Sequence, residues 1–516
     1  MKAHLLANLF VLFLVCKNVD NSKILGVFPM ASHSHYTLGF TLMKELVERG
    51  HEVTFITSYR PKEDIKNLKI VSVEEIVEGL TDHKKSLYQQ HDWSYHRQTK
   101  LAFKMGIYVT RKIFKVKSVV ELIRSHVKFD IIIIENFMNE ALIGLGHHFK
   151  APVILLAPGP TTYLCNFFVG NPTPSAYIPN IASRFSSDMT LIERIKNVYY
   201  DILGEYLIHQ YVIPKHNEIM QEHLPGTPNL SEIMSNVSLI LTSSHVSINT
   251  PAPTVPAVKE IGGYHVGKPE QLPSDLQEFL DNAKEGVVLF SLGSNLKSSD
   301  LPDHMKNAIL KTFSIIKQKV LLKFEEDIPN KPENVKIMNW LPQSSVLAHS
   351  NTKLFISHGG LLSVIESVHY GVPILGIPVF WDQECNIKSA ENNGFAINLP
   401  LKELNEETFF TAVNELLNNP EYTRNVKSRQ RILHDQPFTP MDTAVYWIEY
   451  VIRHKGAHHF KSPSLKLKWY QINMLDIAII LTLVTIVLFI VLYFIIKHII
   501  SMFGGKHTAI RAKKNQ

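Results

Sequence analysis

Apolar runs alternate with amphipathic segments along most of the chain, which predicts strands that alternate with helices. The first apolar run, residues 24–28, precedes a helical pattern over 38–49, and a second strand follows at 52–58. Four consecutive isoleucines at 131–134 have the continuous apolar character of a strand that is buried on both faces. This βαβ opening favours a parallel sheet covered by helices.

A stretch rich in proline and glycine, residues 251–270, interrupts the alternation and is typical of a linker. After it the alternation restarts, with helical patterns over 303–317, 361–370, 383–393 and 406–418. We therefore expect two α/β domains, 23–250 and 271–460. The chain contains neither GxGxxG nor GxxxxGK[ST], so a nicotinamide site and a P-loop are not supported.

The two ends of the chain carry apolar segments of different length. Residues 5–16 have the length of a signal-peptide core, which favours a signal peptide over 1–22 rather than a buried first strand or helix. Residues 477–496 hold 20 residues without a charge, enough to span a bilayer as a helix. A signal followed by a late span predicts a single-pass type I protein with both domains lumenal and 497–516 as a cytosolic tail.

Further address and modification signals fit that topology. Lys513 and Lys514 stand four and three residues from the end, a spacing that resembles the dilysine retrieval signal of the endoplasmic reticulum. A plain solvated basic tail is the alternative. Asn229 and Asn236 begin N-x-Ser sequons, which are usable only in a lumenal region. Asn229 is the better glycosylation candidate because Asn236 opens an apolar run.

Composition and charge narrow the class of partner. The 516 residues are 45% apolar and 19% charged, as in a folded protein. The formal charge of +6 comes from the two ends, namely from Lys2, Lys497, Lys506, Arg511, Lys513 and Lys514. The body is neutral, so no nucleic-acid partner is expected. Three cysteines, Cys16, Cys165 and Cys385, are too few for a disulfide framework or a multi-Cys zinc site.

The densest candidate chemistry follows the apolar run at 354–357. That strand ends at His358-Gly359-Gly360 and a helix begins, an arrangement that offers free amide N–H groups and a favourable dipole to a phosphate. Glu366 lies two turns along roughly the same side of that helix and could accept hydrogen bonds from ribose hydroxyls. Taken alone, His358-Gly359-Gly360 is a weak signal, because a turn with a capping histidine would also explain it.

The surrounding motifs are far more specific. Trp340-Leu-Pro-Gln343, SHGGLLSVIE at 357–366, Gly371-Val-Pro373, Pro378 and Asp382-Gln383 occur in this order within 44 residues. This order resembles the signature of the UDP-glycosyltransferases, the superfamily that contains the animal UDP-glucuronosyltransferases. The motifs HGGLLS and FWDQ are most similar to those of arthropod members. The resemblance covers nearly the whole chain and implies a GT-B-like fold of two Rossmann-like, doubly wound domains.

The resemblance also implies a role for each matching residue. For the nucleoside, Trp340 would stack on the uracil ring, Gln343 would hydrogen-bond the uracil or the ribose, and Glu366 would hydrogen-bond the ribose. For the diphosphate, the contacts would come from Ser291, Ser294, His358 and the amide of Gly360. For the sugar, Asp382 and Gln383 would hydrogen-bond its hydroxyls. One departure is visible, since many vertebrate relatives carry Asn-Gly where this chain has Leu362-Ser363. It predicts a donor site with one polar contact fewer.

The implied reaction needs a base that deprotonates an acceptor hydroxyl, and an imidazole suits this task at neutral pH. His33, His35 and His51 lie near predicted strand ends. His51 is explained by a position at a helix end, and His33 by an exposed loop. Ser34-His35-Tyr36 resembles the family's Ser-His-aromatic triplet, so we predict that His35 is the base.

The family pairs this histidine with an aspartate after a later strand, which fixes the imidazole tautomer. The matching position here holds Glu135. A glutamate has one methylene more than an aspartate, so it can take the same role if its backbone lies slightly further from the histidine. Asp130 precedes the same strand and should face the opposite end of the sheet, whereas Glu140 belongs to the next helix. We predict a His35–Glu135 dyad.

Together these features predict an inverting transfer of a hexose from a UDP-sugar to a hydroxyl of a small lipophilic acceptor, as in detoxification or metabolite conjugation. The arthropod-like motifs favour UDP-glucose over UDP-glucuronate. A non-catalytic protein with the UDP-sugar fold is an alternative supported by the Glu135 substitution, and a membrane lectin is a third. We expect no metal and no cofactor beyond the UDP-sugar co-substrate, and a lipid bilayer as partner. Whether the chain forms a homo-oligomer is left open.

Overall fold

The computed structural model describes residues 21–78, 88 and 93–513, with side chains as far as residue 502. All but the last two residues of the predicted signal peptide lie outside this part of the chain. So do the side chains of the predicted retrieval signal, Lys513 and Lys514. The chain divides into two compact units, one that ends at Lys461 and one that begins at Ser462.

A parallel sheet forms the centre of the first half of the larger unit. Its strands are β1 (Lys23–Phe28), β2 (Glu52–Thr57), β3 (Leu68–Ser72), β4 (Ile131–Glu135), β5 (Val153–Ala157), β6 (Leu239–Thr242) and β7 (Val258–Glu260). In the described residues they take the order β3-β2-β1-β4-β5-β6-β7, and each neighbouring pair is parallel. The order reverses at β1, and ligands of open α/β sheets bind beyond the carboxyl ends of the strands at such a point.

Helices connect these strands. They are α1 (His33–Glu48), α2 (Glu75–Glu78), α3 (Tyr95–Ile113), α4 (Lys117–Arg124), α5 (Gly144–Phe149), α6 (Tyr163–Val169), α7 (Leu191–Leu207), α8 (Ile213–His223) and α9 (Leu230–Ile233). A short 3₁₀ turn, Glu140–Ile143, precedes α5, and a π turn, Ile208–Val212, joins α7 to α8.

A second parallel sheet organises the other half. Its strands are β8 (Val287–Ser291), β9 (Lys319–Lys323), β10 (Val335–Met338), β11 (Thr352–Ser357), β12 (Ile374–Gly376) and β13 (Ala396–Asn398), in the order β10-β9-β8-β11-β12-β13. Its helices are α10 (Ser274–Asp281), α11 (Asp303–Ile315), α12 (Gln343–Ala348), α13 (Leu361–Tyr370), α14 (Gln383–Asn392), α15 (Glu406–Asn418), α16 (Pro420–His434) and α17 (Pro440–Arg453). The two parallel sheets confirm the predicted α/β fold class.

The four isoleucines of β4 show how the first core is built. Ile132 and Ile134 belong to the apolar cluster on one face of the sheet, and Ile131 and Ile133 belong to the cluster on the other face. All four are fully buried. The continuous apolar run is therefore required because successive side chains point to opposite, equally covered faces.

Two segments lie elsewhere than the predicted domain boundaries suggest. The predicted linker, 251–270, contains β7, which forms the edge of the first sheet because Val258 pairs with Ile240. The last helix of the predicted second domain, α17, packs Ala444 and Ile448 into the cluster that holds residues of β1. Thus the segment 440–457 belongs to the first core, because the apolar face of α17 is buried there.

The second unit contains α18 (Trp469–Ile472) and α19 (Leu475–Lys513). Residues Leu475–Met502 of α19 form a helical stretch of 28 residues that is long and apolar enough to cross a membrane. This stretch contains the predicted span, 477–496.

Candidate active site

A cleft of about 2010 Å³ opens beyond the carboxyl ends of the central strands of both sheets. It brings together most of the residues that the sequence singles out, namely His35, Ser291, Ser294, Trp340, Gln343, His358, Gly360, Glu366, Asp382 and Gln383. Glu135 does not line the cleft but lies fully buried behind His35. Asn229 and Asn236 lie outside it. The roles of these residues stay predictions, whereas their convergence is a property of the fold.

His35 lies in the first turn of α1, which begins at His33 and not at the predicted residue 38. The polar sequence His33-Ser34-His35 hides this turn from an apolar pattern, but Ser32 has the extended backbone of an N-cap, with φ −135°. The histidines therefore stand on a helix start and not on a loop. This position holds His35 at the carboxyl edge of the sheet.

His35 and Glu135 form a hydrogen-bonded pair, with 2.5 Å between Nδ1 and Oε1. The pair follows from the topology, because β1 and β4 are neighbours with Val27 opposite Ile134. The residues that follow β1 and end β4 are thereby brought together. When Nδ1 donates to Glu135, the lone pair of Nε2 is left to accept a proton from a substrate hydroxyl.

The charges around His35 favour its protonated form. Burial by itself would lower the pKa of His35, but the Glu135 carboxylate beside it outweighs burial, and Asp382 at the N-cap of α14 adds to the effect. The pKa of His35 is therefore raised above its ordinary value. A base with this environment holds an abstracted proton well.

The other predicted alternatives occupy different positions. Burial and the nearby Lys62 lower the pKa of His33, whose ring makes an edge contact with Trp340 at 4.7 Å between centroids. His51 is buried away from the cleft, where Nδ1 accepts from the Ser22 amide and Nε2 lies 3.6 Å from Glu449. Neither shares the combination of cleft access and a hydrogen-bonded carboxylate that His35 has.

The carboxylates that compete with Glu135 are also engaged elsewhere. Asp130 lies at the opposite end of β4, where it accepts a hydrogen bond of 2.7 Å from the Lys23 amide. Glu140 lies 3.2 Å from Nε2 of the buried His216, and burial raises the pKa of Glu140 to about 7. The position of Asp130 agrees with the interpretation of the sequence, whereas Glu140 begins the 3₁₀ turn before α5 and does not lie in the next helix.

His358 stands between two glycines at the carboxyl end of β11. An added Cβ would lie 2.6 Å from the imidazole at Gly293 and 2.7 Å from it at Gly360, so a side chain at either position would displace the ring. Nδ1 is buried and has no hydrogen-bond partner among the described residues. Burial, and to a lesser extent Lys323, lowers the pKa of His358 to about 4. A neutral imidazole with an unsatisfied nitrogen fits a polar ligand that enters the cleft.

The start of α13 adds further donors. Gly360 is the N-cap, and no described side chain caps the helix there. The amide N–H groups of the first turn are therefore available, and the helix dipole favours an anion at this point. Ser291 and the exposed Ser294 line the same part of the cleft. These groups together fit a diphosphate.

Glu366 and Gln343 form the next part of the site. Gln343 Nε2 donates to Glu366 Oε2 at 2.5 Å and to Ser363 Oγ at 3.1 Å. Burial raises the pKa of Glu366 to about 7, although the hydrogen bond from Gln343 opposes this shift. Trp340 is 54% exposed, so an aromatic surface is open to a ligand. This group fits the base and ribose of a nucleoside.

Asp382 and Gln383 stand at the start of α14, and the charge of Asp382 acts on His35. Asn386 Nδ2 donates to Asp382 Oδ2 at 2.8 Å and to the Gly359 carbonyl at 3.0 Å, which ties α14 to the phosphate-binding segment. Burial raises the pKa of Asp382. Gln383 Oε1 accepts the amides of Val379 and Phe380, so Nε2 remains the donor available to a ligand.

The sequence interpretation missed Lys323, which ends β9 and lines the cleft. Only 8% of Lys323 is exposed, and Nζ lies 2.8 Å from Glu325 Oε1. A signal was present, since a lysine that ends an apolar parallel strand stands at the edge where sites form. Asn295 was also missed, and its Nδ2 donates across the cleft to Ser32 Oγ at 3.0 Å.

The two sequons lie on the surface of the first half. Asn229 is exposed at the start of α9, and its Nδ2 donates to Glu232 at 3.0 Å. Asn236 is exposed too, but its Oδ1 accepts from Lys461 and its sequon partner Ser238 is buried. The preference for Asn229 stays a prediction that this geometry supports.

Comparison with solved structures identifies the fold. The fold resembles that of CalG4, the calicheamicin glycosyltransferase, with a TM-score of 0.56 and 18% identity over 84% of this chain and 99% of that chain. It also resembles the glycotransferase of kitacinnamycin, with a TM-score of 0.55 and 17% identity over 83% of this chain and 99% of that one. The fold is therefore that of a GT-B glycosyltransferase, as the motifs implied.

Sequence comparison defines the family. The family model described as "UDP-glucoronosyl and UDP-glucosyl transferase" matches residues 22–509. The chain is 34% identical to UDP-glucosyltransferase 2 of Dactylopius coccus, over 98% of this chain and 99% of that protein. It is 32% identical to human UDP-glucuronosyltransferase 2B15, over 91% of this chain and 92% of that protein. The chain belongs to this family of UDP-glycosyltransferases, so the predicted family and enzyme class are confirmed.

Proposed function

We propose that this enzyme transfers glucose from UDP-glucose to a hydroxyl of a small lipophilic acceptor, with inversion at the anomeric carbon. The observation that carries the proposal is the His35–Glu135 pair, which faces the His358 and α13 donors in one cleft. A base and a diphosphate cradle in one cleft are the two parts that a direct displacement needs.

In the proposed step, His35 Nε2 takes the proton of the acceptor hydroxyl while its oxygen attacks the anomeric carbon. The bond from that carbon to the UDP oxygen breaks, and the electron pair leaves with UDP. Glu135 and Asp382 stabilise the imidazolium that results. His358, the first-turn amides of α13 and Lys323 meet the charge on the diphosphate. We therefore propose that neither a metal nor a cofactor other than the UDP-sugar is required.

The choice of glucose as the donor sugar is supported by the arthropod relative, which is named a UDP-glucosyltransferase. We expect the purified full chain to show a kcat/KM at least about tenfold higher with UDP-glucose than with UDP-glucuronate. The rate of UDP release with a phenolic acceptor, in the presence of a chelator, gives kcat/KM for each of the two donors. A preference for UDP-glucuronate would overturn the choice of donor.

We further propose a single-pass protein of the endoplasmic reticulum membrane with its active site in the lumen. Support comes from the span candidate, Leu475–Met502, and from the signals at both ends of the sequence. A role in detoxification or metabolite conjugation, with Asn229 glycosylated, fits that location. The non-catalytic alternative loses its support, because Glu135 makes the hydrogen bond that the family aspartate was expected to make.

Glu366 offers a prediction about UDP binding and pH. Because burial raises its pKa to about 7, Glu366 is partly protonated near neutral pH, and the protonated carboxyl cannot accept from two ribose hydroxyls with both oxygens as the carboxylate can. If only the ionised form binds, the UDP Kd rises about tenfold between pH 8 and pH 6. Calorimetry with the full chain measures the Kd for UDP at each pH. The same measurement on Glu366→Gln gives the pH dependence that comes from the titration of UDP itself. An equal pH dependence in both proteins would remove the ribose contact from the proposal.

A further inference from the structure

Helix α7 has an inverted pattern of polar and apolar residues. Its buried residues are Asn197, Asp201 and Gly204. Tyr200, Leu203 and Leu207 are half-buried. Seven other large apolar residues are exposed by 40–66%, namely Leu191, Ile192, Ile195, Val198, Tyr199, Ile202 and Tyr206. They recur every three or four residues and thus share one side of the helix. We name this set the α7 stripe, and a contiguous exposed apolar stripe of this kind marks an interaction surface.

Hydrogen bonds fix the rotation of α7 that exposes this stripe. Asn197 Nδ2 donates to the carbonyls of Ser175 and Ile178 at 2.9 and 2.8 Å, and its Oδ1 accepts from the Asn180 amide at 2.7 Å. Asp201 Oδ1 accepts from Asn180 Nδ2 at 2.7 Å. Rotating the stripe inward would break these buried bonds, which makes the exposed face a specified feature of the fold.

The neighbouring helix α3 carries a row of positive charges. Arg97, Lys100, Lys104 and Arg111 are exposed at spacings of three, four and seven residues, and α3 contains no Asp or Glu. We name this row the α3 basic row. His96 Nε2 lies 2.8 Å from the Tyr199 hydroxyl, so the basic row and the α7 stripe adjoin.

Charges on α7 itself are mixed. Arg194 and Lys196 are exposed on the two sides of the stripe, and the exposed Glu205 lies on the same side as Arg194, about three turns further along the helix. The combined surface is therefore an apolar strip bordered by a cationic row. Such a surface matches a helix that lies flat in the headgroup region, where cations meet anionic lipids and Tyr is favoured.

We propose that the α7 stripe binds the surface of a lipid bilayer, with the α3 basic row over anionic headgroups. The proposal rests on the proposed membrane attachment of the chain through α19, which keeps a bilayer at high local concentration. A second copy of the chain fits less well. A two-fold contact through the α7 stripes would bring two cationic rows together, and like charges across an interface oppose association.

The location of the stripe has a consequence for catalysis. The segment that leads into α7 also lines the active-site cleft, through Ile178, Ile181 and Phe185. A lipophilic acceptor dissolved at the bilayer surface would thus meet apolar side chains between the lipid and His35.

The experiment uses the full chain in vesicles that contain a lipid with a photoreactive acyl chain, followed by mass spectrometry of the crosslinked peptides. We expect lipid crosslinks on α7, and the double variant Ile195→Ser with Ile202→Ser should lose them about tenfold. The matched control, Ile315→Ser with Ile432→Ser, changes two exposed isoleucines on α11 and α16 and should leave them unchanged. Lys100→Gln with Lys104→Gln should weaken the α7 crosslinks only when phosphatidylserine is present.

The outcomes separate this inference from the membrane attachment. Crosslinks within Leu475–Met502 report the attachment by themselves. If these appear while α7 is labelled no more than α11 and α16, the inference is wrong and the attachment stands. Protein–protein crosslinks through α7 in place of lipid crosslinks would assign the stripe to a second copy. An unchanged Tm in every variant excludes loss of folding as the cause.

Discussion

Replacing His35 by alanine is expected to lower kcat for sugar transfer about a thousandfold, since a positioned general base contributes a factor of this order. The structure gives the reason, because His35 is the cleft histidine whose Nδ1 is held by a buried carboxylate, at 2.5 Å from Glu135 Oε1. The donor cradle lies on the other sheet, so the Kd for UDP should change little. Single-turnover transfer and UDP calorimetry on the same preparation measure the two quantities.

His33→Ala is the control for this variant, because His33 lies two residues earlier on the same helical turn. Its ring touches Trp340, so we expect an effect on donor KM and a loss of kcat of less than about tenfold. The assignment of the base is wrong if His33→Ala abolishes transfer while His35→Ala retains it. A loss of UDP binding in His35→Ala would instead indicate that the helix start had been disrupted.

Much of the UDP-sugar site in the second half of the chain could be predicted, because most of its residues lie close together in the sequence. Residues 340–383 supply Trp340, Gln343, His358 and Asp382 in one continuous run, and β10, α12, β11 and α14 place them around one cleft. The strand and helix patterns there are short and strongly apolar, so their elements were predicted within a few residues. The motif order then identified the family.

The rest depends on contacts between distant segments, which no local pattern encodes. Glu135 could be matched to the family aspartate only by position, and its hydrogen bond to His35 became visible with the pairing of β1 and β4. The return of α17 to the first core depends on which sheet covers its apolar face. The α7 stripe was hidden as well, because its pattern predicts an ordinary amphipathic helix with the apolar side buried.

Glu135→Gln is expected to lower kcat about a hundredfold and to move the acid limb of kcat/KM to lower pH by about one unit. The base works when it is deprotonated, so kcat/KM falls as pH drops below the pKa of His35. Burial lowers that pKa and Glu135 raises it above the ordinary value. Removing the carboxylate leaves burial unopposed, which lowers the pKa and shifts the limb toward acid.

The loss of rate has a separate cause, which a second variant isolates. A glutamine amide can donate to Nδ1, which would place the proton on Nε2 and block proton abstraction. Glu135→Asp restores a carboxylate with one methylene fewer, so it should keep the acid limb at the higher pH and recover part of the rate. Glu140→Gln, which removes a buried carboxyl paired with His216, should change neither kcat nor the acid limb of kcat/KM. If Glu135→Gln keeps both the rate and the limb while His35→Ala is inactive, then His35 acts without a carboxylate partner and the dyad is refuted.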